Sequence, residues 1–407
     1  MTLTKLNDEL VIEKQKLHAL LEITNAVNKN YKVKDIIIQF ETVMKEYIGI
    51  PKLALINKRS SWRCILNYGV EGDCSELNIQ EMLTVKSTTL IAESELKGFE
   101  DFDVMMPVYH KEKPLSYLLL GGISEDAMLT FIQSHVGFVQ TLANVVSVAI
   151  ETKNLAKELL KKKLEEKDMK MAAEMQKLLL PSDLPSNNYI DISATYIAKN
   201  MVSGDYYDFI PINEDEYVFC IADVSGKGMS AAMLMSNFQA TLRANVKYNH
   251  GNLTLIQLAK ELNKSVINSA KGEKFITFFI GYYNKKSREL KYINAGHNYP
   301  ILTHNDEIQE LKIGSTALGI FDEMPSIESE TIIINPNTVI VCYTDGMIEV
   351  ENLQKEQFQT ERLIKAVSKN SYLNMSEMNK ALFDEVDNFR NGNSYPDDTA
   401  VLSLRII

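Results

Sequence analysis

Four aspartates in the C-terminal half of the chain stand where carboxylates can do metal chemistry. Asp223 closes the apolar run Val218-Phe219-Cys220-Ile221-Ala222 and opens the glycine-rich turn Val224-Ser225-Gly226-Lys227-Gly228. Asp345 closes Val339-Ile340-Val341-Cys342-Tyr343-Thr344 and is followed by Gly346. Asp398 comes directly after Asp397 and before the last apolar run, and Asp205 follows Gly204 at the head of Tyr206-Tyr207-Asp208. A β run fixes the position of a carboxylate at its end, and a neighbouring glycine clears space. A hard cation such as Mg2+ or Mn2+ then finds the oxygen ligands it takes. Converging like charges repel unless a cation lies between them. Taken singly, each aspartate reads as a turn residue or a helix N-cap. The joint pattern points to a metal centre.

The elements that must carry these residues follow from periodicity. Beyond Pro185, the runs 190–197, 206–212 and 217–224 read as strands joined by short polar turns. Helical stretches are expected over 229–246 and 253–269. Four more β runs (275–283, 290–295, 331–334 and 339–343) come next, then one or two helices between 357 and 389, then a last strand at 400–406. Strands grouped around paired helices, not alternating with them, imply antiparallel sheets with helices packed outside.

These blocks, in this order, resemble the PPM family of metal-dependent protein phosphatases, in its bacterial SpoIIE/RsbU-like branch. The matching segments are Ala173-Glu174-Met175-Gln176 with Leu178-Leu179-Leu180-Pro181, then Ser203-Gly204-Asp205-Tyr206-Tyr207-Asp208, then Asp223 through Ala232. Asn294-Ala295-Gly296-His297-Asn298, Tyr343-Thr344-Asp345-Gly346 and Asp397-Asp398-Thr399-Ala400 complete the set. The resemblance implies an αββα sandwich with a two-metal site at one edge. It also implies roles: Asp223 bridges two Mn2+ or Mg2+ ions with the Val224 carbonyl beside it, Asp345 and Asp398 hold the second metal, and Asp205 supports the first. Such a pair activates a water for in-line attack on phosphorus, without a phosphoenzyme. The expected activity is hydrolysis of phosphoserine or phosphothreonine on a signalling protein, a STAS anti-anti-sigma factor being the implied substrate. One departure is visible: the family has Gly-Gly before its first aspartate, and here the pair is Ser203-Gly204. The phosphate-gripping arginine of the eukaryotic protein phosphatase 2C relatives has no counterpart.

Other residues invite different chemistry. His297 follows a strand, and Mg2+ and Mn2+ prefer oxygen, so a structural hydrogen-bonding role is expected for it. Lys227 lies between two glycines but lacks the phosphate-loop spacing, which argues against nucleotide binding. Tyr206 and Tyr207 read as strand packing.

The N-terminal half is organised differently. Residues 1–28 read as a helix with a seam through Leu3, Leu6, Leu10, Leu17, Leu20 and Val27. An amphipathic segment (33–47) precedes short β runs around 53–56, 64–66, 89–91, 104–108 and 115–122, with a turn at Lys111-Glu112-Lys113-Pro114. One long helix is expected from near Asp126, its stripe running through Leu129, Ile132, Val136, Val139, Ala143 and Val146. This order resembles a GAF sensory domain, which implies a possible small-molecule effector. The charged stretch 150–180 reads as a helical, coiled-coil-like linker with a seam through Leu164, Met171, Met175 and Leu178, out of step with Leu155 and Leu159. The expected division is a helix over 1–28, a GAF-like domain over 29–150, a linker over 151–184 and a phosphatase domain over 185–407. The fold class is α/β in the α+β sense.

The chain has 407 residues, 45% hydrophobic and 24% charged, as in globular proteins with real cores. A formal charge of −11 argues against nucleic acid and anionic membranes as partners. No apolar run reaches the roughly 20 residues that span a bilayer, no signal-peptide core is present, and the four scattered cysteines fit a reducing cytoplasm. Helical seams on both sides of the sensor imply a homodimer. Two other readings stay open: a catalytically silent scaffold, and a small-molecule receptor whose main business is the GAF-like part.

Overall fold

A computed structural model describes residues 3–407 except 60, 71–73, 75–76, 111, 249–253 and 306; the side chains of 3–9 and 125 also fall outside the description. The side chains of Leu3 and Leu6 of the N-terminal seam, and the whole of Lys111 in the expected turn and Leu253 at the expected helix start, therefore lie outside the description. The chain forms two compact units, Met1–Leu164 and Glu165–Ile407. Among the described residues no helix is long and apolar enough to cross a membrane.

In the first unit, α1 (Leu3–Asn28) and α2 (Val33–Thr42) lead into β1 (Lys52–Lys58) and β2 (Trp62–Tyr68). The one-turn α3 (Ile79–Met82), β3 (Thr89–Leu90), β4 (Val104–His110) and β5 (Lys113–Gly121) follow, then α4 (Glu125–Ser134) and α5 (Val136–Lys177). The strands make one antiparallel sheet in the order β2-β1-β5-β4-β3. Alternation along β1 sends Leu53 and Leu55 to a core with Ile23, Phe40, Leu142 and Val146, and Ala54 and Ile56 to a second core with Met82, Phe99 and Tyr117. Both faces are thus covered.

Two expectations are corrected here. The single helix from near Asp126 is two helices broken at His135, whose ψ of −27° comes with a φ of −123°. On α4, Leu129 and Ile132 are exposed while Phe131 is buried, and the stripe turns inward through Val136, Val139, Ala143 and Val146 of α5. In α1 the buried face is Ala19, Ile23 and Ala26, with Leu20 and Val27 of the expected seam packed beside it, whereas Leu10 and Leu17 are open to solvent.

The second unit is a four-layer sandwich. β6 (Ile190–Ile197), β7 (Tyr206–Pro211) and β8 (Glu216–Val224) precede α6 (Met229–Tyr248) and α7 (Leu255–Ala270). Then come β9 (Ile276–Asn284), β10 (Glu289–Ala295), β11 (Ile301–His304), β12 (Glu307–Glu310), β13 (Gly314–Ser315), β14 (Glu330–Ile333) and β15 (Thr338–Tyr343). Helices α8 (Gln359–Asn370) and α9 (Met375–Arg390) and strand β16 (Thr399–Ile406) complete it. One sheet runs β13-β10-β9-β8-β7 with β14 on β10; the other runs β12-β11-β15-β16-β6. All pairings are antiparallel except β10 with β13.

Period-two alternation builds the layers. Tyr217, Phe219 and Ile221 of β8 meet Ile340 and Cys342 of β15 between the sheets. Val218, Cys220 and Ala222 face α6 and α7 through Met235, Phe238 and Leu262. On the far side, Val339, Val341 and Tyr343 pack on Leu363, Val367 and Leu382 of α8 and α9. Strands buried on both faces read as unbroken apolar runs, and β8 and β15 do. Strands β11 to β13 were not expected from the sequence; they are two to four residues long and carry polar side chains.

Candidate metal centre

Sheet register brings the aspartates to one edge of the sandwich. Tyr206 pairs with Ala222 across β7 and β8, so Asp205 and Asp223 are the next opposed positions outward. Across β15 and β16 the ladder reaches Tyr343 with Val401, and Thr344 N–H then donates to Ala400 O at 3.0 Å. Asp345 and Asp398 therefore leave the other sheet at the same edge. Thr344 ties the two sheets together: its Oγ1 donates to Asp205 Oδ2 at 2.7 Å and accepts from Ala400 N–H at 2.8 Å.

Two glycines make the close approach possible. A Cβ on Gly346 would lie 2.0 Å from Asp398 O, and one on Gly204 would lie 2.8 Å from Val224 O. Neither separation is tolerable for a side chain, so glycine is required at both places for steric reasons. The Val224 carbonyl is consequently turned toward the segment that carries Asp205.

The electrostatics are those of carboxylates crowded together. Asp205 is fully buried, and burial, then the Asp223 charge, push its pKa well above the ordinary value, with Asp398 and Asp345 adding and the Thr344 bond opposing. Asp223 is pushed up to about 7, first by burial and then by Asp345, Asp397 and Asp398, against a hydrogen bond with Asp205. Asp345 rises to about 6 through burial, Glu349 and Asp397, while the Gly346 N–H and Lys227 oppose the rise. Asp205 and Asp223 thus each feel the other three expected aspartates.

The remaining bonds around the cluster come from the chain itself. Asp398 accepts from Lys199 N–H at 2.9 Å and from Gly204 N–H at 3.2 Å. Lys227 pairs with Asp397 at 2.6 Å and donates to Pro396 O at 3.3 Å, at the rim. Among the described residues no three carboxylate, imidazole or thiol groups already close on one point as an ion's ligands. The donor set is nonetheless all oxygen and strongly anionic, which suits Mg2+ or Mn2+ and not a soft metal.

Several neighbouring residues resolve as packing or scaffolding. His297 is buried, its Nδ1 2.9 Å from Thr277 Oγ1 and its Nε2 3.1 Å from Tyr343 O. A carbonyl only accepts, so Nε2 carries the proton and Nδ1 receives the threonine hydroxyl. Burial lowers its pKa to about 4, leaving it neutral and committed at both nitrogens. Tyr206 is buried against Phe238 with its hydroxyl on Asp208, and Tyr207 lies between the sheets. Ser203 does more than fit its turn: its Oγ accepts from Asp205 N–H at 3.0 Å. Sequence reasoning missed Asp397, Glu349 and Thr344 as members of the group. The Asp397-Asp398 repeat was a signal for the first, whereas Thr344 gave none outside its register.

Residues 213–407 match the family model for stage II sporulation protein E (SpoIIE). The matched segment contains Asp223, Asp345 and Asp398 and begins after Asp205. The chain is 28% identical over 228 residues to protein IcfG of Synechocystis sp., covering 50% of this chain and 36% of that protein. It is 25% identical over 240 residues to phosphoserine phosphatase RsbU of Bacillus subtilis, covering 58% of this chain and 70% of the relative. Phosphoserine phosphatase RsbP of the same organism is 23% identical, with 45% of each chain covered. The chain therefore spans about a third to 70% of the length of these relatives. Among solved structures, the SiaA-PP2C domain of Pseudomonas aeruginosa superposes with a TM-score of 0.55 at 17% identity, over 61% of this chain and 99% of that one, a likeness of fold.

Proposed function

We propose that this chain, whose residues 213–407 match the SpoIIE family model, is a metal-dependent serine/threonine phosphoprotein phosphatase of the PP2C type whose centre is the aspartate cluster. Asp205, Asp223, Asp345 and Asp398, with the Val224 carbonyl, would hold two Mn2+ or Mg2+ ions, Asp223 bridging them. The observation that carries this is the gathering of Asp205, Asp223, Asp345, Asp397 and Asp398, with Glu349 beside Asp345, at one sandwich edge, where Asp205 and Asp223 are each pushed up by burial and by their neighbours. Bound there, divalent cations supply positive charge against a phosphoryl group and an acidified water as nucleophile.

The chain's own groups prepare the site. Thr344 Oγ1 orients the Asp205 carboxylate, and the Lys199 and Gly204 N–H groups orient that of Asp398. Lys227, half-exposed and paired with Asp397, puts a cation at the rim of the cluster and can attract an anionic substrate. His297 has no free nitrogen and moves no proton in the reaction.

The relatives named phosphoserine phosphatases support a phosphoserine or phosphothreonine protein as substrate, and a STAS anti-anti-sigma factor is the class we favour. In the same reading the first unit is a GAF-like sensor that takes a small effector, the charged helix is the connector, and the chain works as a cytoplasmic homodimer. Calorimetric titration of the full chain with Mn2+ tests the metal reading. Two ions bound with release of protons are expected, since raised carboxylates must ionise to ligate. Absence of any heat of binding with both Mn2+ and Mg2+ would leave the silent scaffold and the small-molecule receptor.

A further inference from the structure

Gln176 lies one residue before the end of α5 and contacts none of the clustered carboxylates, yet it is buried. Its amide makes two bonds to one residue: Nε2 donates to Ser203 O at 2.7 Å, and Oε1 accepts from Ser203 N–H at 3.0 Å. The Ser203 carbonyl and the Gly204 N–H belong to the same planar peptide, so fixing one end fixes the other. That Gly204 N–H donates to Asp398 Oδ2, and Ser203 Oγ receives the N–H of Asp205. A carbonyl that accepts a hydrogen bond also polarises the N–H across its peptide.

We propose that Gln176 is a positioning residue for the metal centre: it holds the Ser203–Gly204 peptide, and through it the aim of Asp205 and Asp398. The proposal rests on the metal reading above. Gln176 touches neither metal nor substrate; it acts one shell out, where loss of an orienting partner typically weakens metal binding about 10- to 100-fold. Gln239 provides the contrast. Its Nε2 donates to Leu179 O at 3.3 Å, anchoring the same chain end without touching the Ser203 segment.

The test measures Mn2+ binding to the full chain from the paramagnetic resonance of the free ion, with no substrate present. Gln176→Met keeps length and removes both hydrogen bonds; it is expected to weaken Mn2+ affinity by about ten-fold or more. Gln239→Met is expected to leave affinity unchanged, although both variants lower the melting temperature in chelator. If Gln176→Met does not fold, Gln176→Glu carries the same test, because it keeps the acceptor for Ser203 N–H and replaces the donor with a charged, acceptor-only oxygen that cannot hold the Ser203 carbonyl. Unchanged affinity in the folded Gln176 variant, or equal loss in Gln239→Met, overturns the proposal while the metal reading stands. A wild-type chain that binds no Mn2+ overturns both, and that result is read before any variant is made.

Discussion

Asp223 and Asp345 hold their protons to about pH 7 and about pH 6 in the folded chain, against about 3.9 for an unperturbed aspartate. A raised folded-state pKa gives stability that is complete below the unfolded value and lost as pH rises through the folded one. In chelator the full chain is therefore expected to melt lower at about pH 7.5 than at about pH 5.5. Added Mn2+ should restore more at the higher pH. In chelator at about pH 7.5, Asp223→Asn is expected to melt a few degrees above wild type, because it removes a repelled charge. A lower melting point for that variant means the carboxylates do not repel. His297→Ala strands the Thr277 hydroxyl and the Tyr343 carbonyl, at about 1–3 kcal/mol for each unpaired buried group, a loss readable in urea denaturation. The pH–rate profile should keep its shape, because this imidazole is already neutral. The four aspartates were legible because each stands where a β run ends or begins, Asp223 and Asp345 closing one and Asp205 and Asp398 preceding one. Thr344 was not, since its part depends on which distant strand lies opposite.

The elements carrying these residues are held by groups whose removal has separable effects. Asp208 on β7 is fully buried and receives Arg243 of α6 through Nε at 2.7 Å and Nη2 at 2.8 Å, locking the helix to the sheet. Arg243→Ala leaves that carboxylate unpaired and is expected to cost about 3–5 kcal/mol, measured by denaturant unfolding of the full chain. Gly346→Ala drives a Cβ into Asp398 O and is expected to cost about 2 kcal/mol or more, with Mn2+ binding weakened as well. A variant that folds and binds like wild type contradicts the close approach of β15 and β16. Long strands were legible from alternation, and β8, β10 and β15 begin and end within a residue of expectation. Strands β11 to β13 were hidden by their shortness. The break at His135 was hidden because the apolar spacing continues across it.

At the scale of the whole molecule, the exposed apolar side chains lie mainly on helices. Leu10, Leu17 and Leu21 of α1 and Leu155, Leu159, Leu164, Met171 and Met175 of α5 are all open to solvent in the single chain. Exposed seams of this kind are covered in a parallel pair of helices. The full chain is expected to sediment as a dimer, and Leu164→Glu with Met171→Glu as a monomer; a wild-type monomer at micromolar concentration removes the dimer from the account. The composition placed the molecule among globular proteins, and the order of its motifs pointed to a phosphatase domain in the C-terminal half. The seam was legible as a pattern, but which of its residues the sheet of the first unit takes up was not, because Ala19 and Ile23 compete for the same helix with Leu10 and Leu17. The central claim is tested most directly by the release of inorganic phosphate from a phosphoserine protein by the full chain with Mn2+. Release that chelator stops, and that falls by at least about 100-fold in both Asp223→Asn and Asp345→Asn, is the expected result. No release with Mn2+ or Mg2+, or release that both variants retain, contradicts it.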